Sequence, residues 1–343
     1  MKALVLKEYM KLVYEKVPDP TFGSDEVLIQ VKACGICGSD VHGMDGSTGR
    51  RIPPVIMGHE ASGMISETGS RVKKWKRGDR VTFDSTVFPL DDWYTRRGEY
   101  NLSDNRQVLG VSCAEFKRDG AFADLVVVPQ HILYTIPDNV TFDQAAMSEP
   151  AAVAMHAVNL TNMSEEDVAL VVGVGMIGLF VVQILKIRGC KKVIAIDIAP
   201  NQLKMAKEFG ADLTLDPKNE DTKEIIYRHT DNRGADIAFE AVGTTATIKT
   251  AIECVRKGAA ITLIGNLSKD VEIPLQSVVT QQIRLQGSCA IAGEYPEVLR
   301  LIGEGKLNVD AMLSAAAPLY EGADWFQRLY NKEPGLMKVI LNP

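Results

Sequence analysis

Several things are scarce in this chain of 343 residues. No uncharged apolar run approaches the ~18 residues needed to span a bilayer, so no membrane segment is expected. The opening stretch MKALVLKEYMKLVYEK is interrupted by charge and lacks a small-residue cleavage site, so no secretory signal is expected either. There is no basic excess. Lys+Arg number 38 and Asp+Glu 44, a net charge of −6, which argues against nucleic acid or anionic membrane as a partner. Cysteine is sparse, at six residues, which suits thiols or metal ligands in a cytoplasmic protein better than a disulfide framework. Internal repeats and low-complexity segments are lacking as well. What remains is an ordinary globular composition, 46% apolar, long enough for about two domains at ~100–200 residues each.

The clearest positive signal is LVVGVGMIGLFVVQILKIRGCKKVIAIDIA, from Leu170 to Ala199. It reads as strand, glycine turn, helix and second strand, ending on an acid. Gly173, Gly175 and Gly178 fit G-x-G-x-x-G. The first glycine permits the tight turn, the second a close approach of backbone to pyrophosphate, and the third close helix–strand packing. The helix start around Met176 and Ile177 would then present unpaired N–H groups to the phosphates. Asp197 falls near the ~20-residue spacing at which a carboxylate accepts hydrogen bonds from ribose hydroxyls. A carboxylate there disfavours a 2′-phosphate, and Ile198, Ala199 and Pro200 supply no nearby base, so NAD is expected over NADP.

Around this unit the chain changes character. Residues 1–35 carry strand signals in ALVL and VLIQVKAC, separated by turn residues. CGICGSDVH reads as a loop or short helix start, and residues 87–106 as a polar, aromatic excursion without period. Phe142 to Leu160 reads as helical, interrupted at Glu149-Pro150. From Leu170 to about Gly287, strands and helices alternate, which predicts a parallel, doubly wound sheet with right-handed crossovers. Two amphipathic helices and a strand, MKVILNP, close the chain.

Cys37, His59, Glu60 and Glu149 form a second chemical set. A thiolate and an imidazole with carboxylates suit zinc with one position left open. Taken singly, each has an ordinary reading: a small core cysteine, a strand-end His-Glu pair, an acid at a helix break.

The motifs together resemble the zinc-containing medium-chain dehydrogenase/reductase family: C-G-I-C-G-S-D-V-H, G-H-E at 58–60 within G-H-E-x-x-G, S-E-P-A-A-V-A-M-H at 148–156, and G-x-G-x-x-G. The pattern is closest to the sorbitol/polyol and threonine dehydrogenase branch and runs the length of the chain. The resemblance implies a GroES-like, β-rich catalytic domain over residues 1–150 and 288–343, and a Rossmann dinucleotide-binding domain over 151–287. It implies that Cys37 and His59 bind a catalytic zinc, that Glu60 is a ligand or close neighbour, and that Glu149 binds directly or through water. Ser39 and His42 match a proton relay, with Asp40 a supporting partner. Val153 is expected near the nicotinamide, with Val242, Ile264 and Gly265 along the cofactor path. Hydride would pass from a secondary alcohol in an interdomain cleft to NAD, and the subunits would form a homodimer or homotetramer through the nucleotide domains.

Relatives with a second, structural zinc carry C-x2-C-x2-C-x7-C in the region of residues 87–106. Here Pro89, Asp92, Thr95 and Ser103 stand at those places, so one zinc per subunit is expected, with the lobe held by packing of Phe88, Trp93 and Tyr94. Within the Gly46–Arg51 loop, Arg50 or Arg51 is a candidate partner for an anionic substrate, against the simpler reading that both are solvated loop charges. The competing functions are an L-threonine 3-dehydrogenase-like enzyme and a non-catalytic or quinone reductase-like relative. The second of these predicts missing metal ligands, and none is missing.

Overall fold

The computed structural model describes residues 1–113 and 116–343. The chain divides into two compact units, Met1–Glu149 with Ile291–Pro343, and Pro150–Ala290.

The first unit is predominantly β. Its main sheet runs in the spatial order Leu133–Thr135, Arg80–Phe83, Glu60–Thr68, Glu26–Gly35, Lys338–Asn342 and Leu313–Pro318, and Leu125–Pro129 also pairs with Glu26–Gly35. Strand Glu26–Gly35 is the hub, pairing antiparallel with Glu60–Thr68 and with the C-terminal strand through Ile340 opposite Gly35 and Leu341 opposite Cys34. Its register puts Gly35 opposite Glu60. Residues near 35, 60 and 338 therefore meet at one end of the sheet although they lie far apart in sequence. An apolar cluster that includes Leu4, Ile29, Ile65, Phe83, Phe122, Phe326 and Leu341 fills the interior. Each such side chain contributes on the order of 1.5–3 kcal/mol by leaving water.

The second unit is a parallel sheet of six strands among the described residues, in the order Leu213–Leu215, Lys192–Ile196, Val168–Val172, Ala235–Glu240, Val255–Leu263 and Arg284–Gly287. Numbered along the unit this is 3-2-1-4-5-6, the doubly wound order with its switch point beside the first strand. The helix Met176–Ile187 is apolar nearly all round, with residues 178–185 buried. It serves as core, with its N-terminal residues Met176 and Ile177 only half-buried.

Two boundaries differ from the sequence reading. The break between helices falls at Met147, separating Phe142–Ala146 from Ser148–Asn159, and not at Glu149-Pro150. Pro150 occupies the first turn, where its missing N–H would have had no intrahelical acceptor. The helix expected over TIKTAIECVRKG ends at Cys254, and Val255 already begins a strand, because this β-branched, buried residue pairs with Ala235.

Candidate metal and cofactor sites

The metal corner begins in a short helix, Gly38–Met44, entered from Cys37. Cys37 lies just beyond the hub strand, while His59 and Glu60 sit at the start of its neighbour. One donor atom each from Cys37, His59 and Glu60 lies within 4.8 Å of the others. His59 Nδ1 is buried and has no hydrogen-bond partner among the described residues, with Asp40 Oδ2 3.5 Å away, long for a hydrogen bond. Burial would lower the His59 pKa. The Asp40 carboxylate and the Cys37 sulfur beside it instead raise it well above the ordinary imidazole value. A thiol, an imidazole and a carboxylate gathered around a place that favours positive charge form a donor set that fits Zn²⁺.

Glu149 stands outside that close group. It is buried, and Ser85 Oγ donates to its Oε1 at 3.0 Å. Burial pushes its carboxyl up to about 7, with His59 pulling it down and Glu60 raising it further. It is therefore near enough to share the field of the corner while Ser85 holds one of its oxygens.

Glu60 has a partner that sequence reasoning missed. Lys338, in the last strand and only 3% exposed, donates from Nζ to Glu60 Oε2 and at 3.1 Å to Ile36 O. Burial opposes its charge, but the Glu60 carboxylate raises its pKa. Gly35 is needed for this packing, because a Cβ there would lie 2.3 Å from Glu60 Oε2. The available signal was a lone lysine heading an apolar strand, KVIL. It names no partner, since the partner is 278 residues away.

Of the relay residues, Ser39 is exposed and its Oγ donates to Cys37 Sγ at 3.3 Å. His42 is exposed and close enough to Asp45 to stabilise its carboxylate. No hydrogen bond joins it to Ser39 among the described residues. Asp40 is fully buried. Burial would raise its pKa, but His59 and Arg51 hold it well below the usual carboxylate range. This corrects the sequence expectation for Arg51. Its side chain, 3% exposed, donates to Asp40 Oδ1 at 2.8 Å from Nη2 and 3.3 Å from Nε. It is committed inward and is not a loop cation awaiting a substrate anion, whereas Arg50 is exposed.

The lobe around residues 87–106 is held differently from the expectation. Phe88 stacks on Tyr100 at 4.1 Å and meets His131 edge-on at 4.8 Å, and Tyr100 OH donates to the buried Asp84 Oδ2 at 2.9 Å. Trp93 is 63% exposed, and its ring contacts among the described residues are Tyr94 and Arg97. Of the three aromatics proposed from sequence, Phe88 anchors the lobe and Trp93 does not. Tyr100 was missed.

In the second unit the glycine turn has the geometry its spacing predicts. Gly173 has φ +85°, and its N–H donates to Ile196 O at 2.8 Å. A Cβ on Gly178 would lie 2.0 Å from Gly173 O, whereas one on Gly175 would meet nothing within 4 Å. Gly178 is thus required by packing, and Gly175 leaves open space at the helix start, before Met176 and Ile177, which are half-buried. Asp197 is tied to the turn. Its Oδ2 accepts from Val174 N at 2.8 Å and its Oδ1 from Ala199 N at 2.9 Å. Glu240, buried at a strand end and also missed, accepts from Val242 N at 2.9 Å and Gly243 N at 2.8 Å, while its carbonyl takes Ile264 N and Gly265 N. It clamps together the two turns that carry Val242, Ile264 and Gly265. Val153 is half-buried on helix Ser148–Asn159. A cradle at a helix N-terminus, with open space over one glycine and a carboxylate fixed to the turn, fits a dinucleotide.

The five described cysteines whose side chains are placed, Cys34, Cys37, Cys190, Cys254 and Cys289, are free thiols. No helix among the described residues is long and apolar enough to cross a membrane.

Comparison with known proteins bears on the same residues. The alcohol dehydrogenase GroES-like domain matches residues 23–138, and the zinc-binding dehydrogenase family matches residues 176–304. Sorbitol dehydrogenase of Bacillus subtilis is 31% identical over 100% of this chain and 97% of its own length. D-arabitol-phosphate dehydrogenase of Enterococcus avium is 30% identical, covering 98% and 95% respectively. Among solved structures, a zinc-binding dehydrogenase from Sinorhizobium meliloti bound to NADP superposes with a TM-score of 0.90 at 29% identity, covering 100% of this chain and 99% of that one. With a GroES-like unit, a doubly wound nucleotide unit and whole-length relatives of this kind, the chain belongs to the zinc-type medium-chain alcohol and polyol dehydrogenases and is an oxidoreductase.

Proposed function

We propose that the enzyme oxidises a secondary alcohol (a polyol, sugar, sugar acid or cyclitol) with NAD as hydride acceptor and one catalytic zinc per subunit. The observation that carries the proposal is the convergence of Cys37, His59 and Glu60 within 4.8 Å, in a chain that also bears a dinucleotide turn closed by Asp197. Cys37, His59 and Glu60 would hold the metal, with Glu149 reaching it directly or through water. When bound, zinc acts as a Lewis acid on the alcohol oxygen, and nicotinamide supplies the hydride acceptor. The chain's own residues do the rest. Asp40 orients His59 from behind, Lys338 balances the charge of Glu60, and Ser39 takes up the alcohol proton. His42, exposed beside it, then passes it on to solvent. The sorbitol and arabitol-phosphate dehydrogenases among the relatives support the polyol class. Asp197, in contact with the glycine turn, supports NAD over NADP through repulsion of a 2′-phosphate.

A single zinc is supported by the absence of thiolate ligands at Pro89, Asp92, Thr95 and Ser103. A homodimer or homotetramer is supported by the edge position of strand Arg284–Gly287 and by exposed Leu275 and Val279 on the preceding helix. An unpaired strand edge beside apolar side chains is a surface that another copy can complete.

The test is a zinc-replete screen of polyols, inositols, sugar acids and threonine with NAD and with NADP, alongside elemental analysis. Reduction of NAD by polyols with one zinc per chain is expected. Turnover of threonine alone, faster reduction of NADP, or two zincs per chain would each overturn the corresponding part.

A further inference from the structure

The mechanism just outlined leaves a buried cation unused. Arg51 comes from the loop between helix Gly38–Met44 and His59, a place where an arginine is ordinarily solvated, yet it is 3% exposed. Its position is built. A Cβ on Gly43 would lie 2.3 Å from Arg51 Cγ, so only glycine on that helix face lets the guanidinium stem pass. Nη2 reaches two acceptors, Asp40 Oδ1 at 2.8 Å and Ser39 Oγ at 3.3 Å, and Nε adds a second bond to Asp40 Oδ1 at 3.3 Å. Asp40 Oδ2 in turn stands 3.5 Å from His59 Nδ1 and accepts from Cys37 N at 3.4 Å. One planar cation therefore fixes both the hydroxyl beside the metal corner and the carboxylate behind its histidine.

We infer that Arg51 is a positioning residue for the alcohol proton, holding the Ser39 hydroxyl in the orientation that accepts it. A guanidinium can only donate, so it occupies one lone pair of Ser39 Oγ and leaves one lone pair and one O–H to work with. As the alcohol O–H breaks, its proton forms a new O–H on the free lone pair. The proton already on Oγ, which the hydroxyl donates to Cys37 Sγ at rest, turns to the exposed side of Ser39 and leaves through water toward His42 and solvent. Oγ returns to a neutral hydroxyl, and the proton count balances. A lysine could supply the charge but not the fork that reaches both partners.

This inference rests on the assignment of Ser39 to the alcohol proton, so the test separates the two. Arg51→Gln, Arg51→Lys, Ser39→Ala and the Ser39→Ala/Arg51→Gln double variant are compared as zinc-loaded protein for turnover, and as cobalt-loaded protein for the thiolate-to-metal absorption band of Cys37. The band senses Ser39, whose hydroxyl donates to that sulfur. Arg51→Gln is expected to lower kcat by roughly 10–100-fold, the scale of a misplaced catalytic group, with KM for NAD unchanged and a larger solvent deuterium effect. The double variant should lose no more than Ser39→Ala alone, and Arg51→Lys should recover part of the loss. The cobalt band should shift the same way in Arg51→Gln and Ser39→Ala. Additive losses, or loss only in proportion to released zinc or lowered Tm, would overturn the inference. If Ser39→Ala leaves kcat unchanged, the assignment of Ser39 is what fails. The band shift then decides alone, and an unshifted band in both arginine variants counts against Arg51 as the residue that holds Ser39.

Discussion

The glycine turn and the metal corner solve opposite problems. At the turn the working groups are backbone amides, and the sequence supplies shape by leaving side chains out at Gly173, Gly175 and Gly178. At the corner the working groups are charged side chains brought from residues 37, 59, 60, 149 and 338, and their cost is managed by pairing. Lys338 stands on Glu60, Arg51 on Asp40 and Ser85 on Glu149. The turn is a local object that a thirty-residue segment can build. The corner exists only when the sheet of the first unit has closed. The turn should therefore tolerate or refuse substitutions according to space, and the corner according to charge.

The largest effect belongs to the corner itself. His59→Ala, or removal of the metal with a chelator, should lower kcat/KM on the order of 10³-fold, because the several kcal/mol of Lewis-acid stabilisation goes with it. Readdition of zinc should restore the chelated enzyme and not the variant. Lys338→Met comes next. It leaves Glu60 buried beside Glu149 without its cation, and breaking one side of a buried pair costs about 3–5 kcal/mol. Thermal unfolding of the zinc-free protein should show it directly, with weaker zinc retention as the companion effect. If Lys338→Met unfolds like the parent, charge pairing does not organise the corner, and the contrast with the turn fails.

At the turn, two glycines three residues apart should behave differently. Gly178→Ala forces a Cβ to within 2.0 Å of a backbone oxygen and should destabilise the second unit by about 1–3 kcal/mol through overpacking. Gly175→Ala meets nothing in the protein and should leave the unfolding temperature within a degree or two, yet weaken NAD binding by roughly tenfold by standing where the pyrophosphate approaches. Calorimetry and NAD titration on the two variants measure both. Equal destabilisation would mean that the turn is set by packing alone.

The same contrast explains what could be read in advance. The turn, its helix and Asp197 were legible because all the chemistry lies within one strand–helix–strand segment whose period and punctuation are local. Cys37, His59 and Glu60 were legible as residue types in motifs. Their partners were not. Lys338 and Ser85 gave only a lysine at the head of an apolar strand and a serine after a strand, and register across the sheet decides what they touch. Arg51 was misread for a related reason. Loop composition suggested solvent, whereas the empty side of Gly43 gave it a way in. Trp93 was overrated because aromatic content predicts packing without saying which ring finds a partner.

The smallest effect lies where the corner meets the lobe that lacks thiolates. Asp84 is buried, and burial pushes its carboxyl up to about 7, while Thr86 N–H and Tyr100 OH partly offset this and Glu294 adds to it. A folded pKa above the unfolded value means the native state binds the extra proton between about pH 4 and 7. The Asp84 contribution therefore makes stability fall as pH rises through that window. Tyr100 OH, 2.9 Å from Asp84 Oδ2, supports the ionised form, so Tyr100→Phe raises the folded pKa further and extends the fall to higher pH. The expected loss is about 1 kcal/mol or less at pH 6, where Asp84 is mostly protonated, and about 1.5–3 kcal/mol at pH 8.5, where a hydrogen bond to a charged group is removed. Unfolding by urea at the two pH values measures the difference, and Asp84→Asn should abolish it. An effect of Tyr100→Phe independent of pH would assign the anchoring of the lobe to the Phe88–Tyr100 stack alone, and would mean that charge management stops at Glu149.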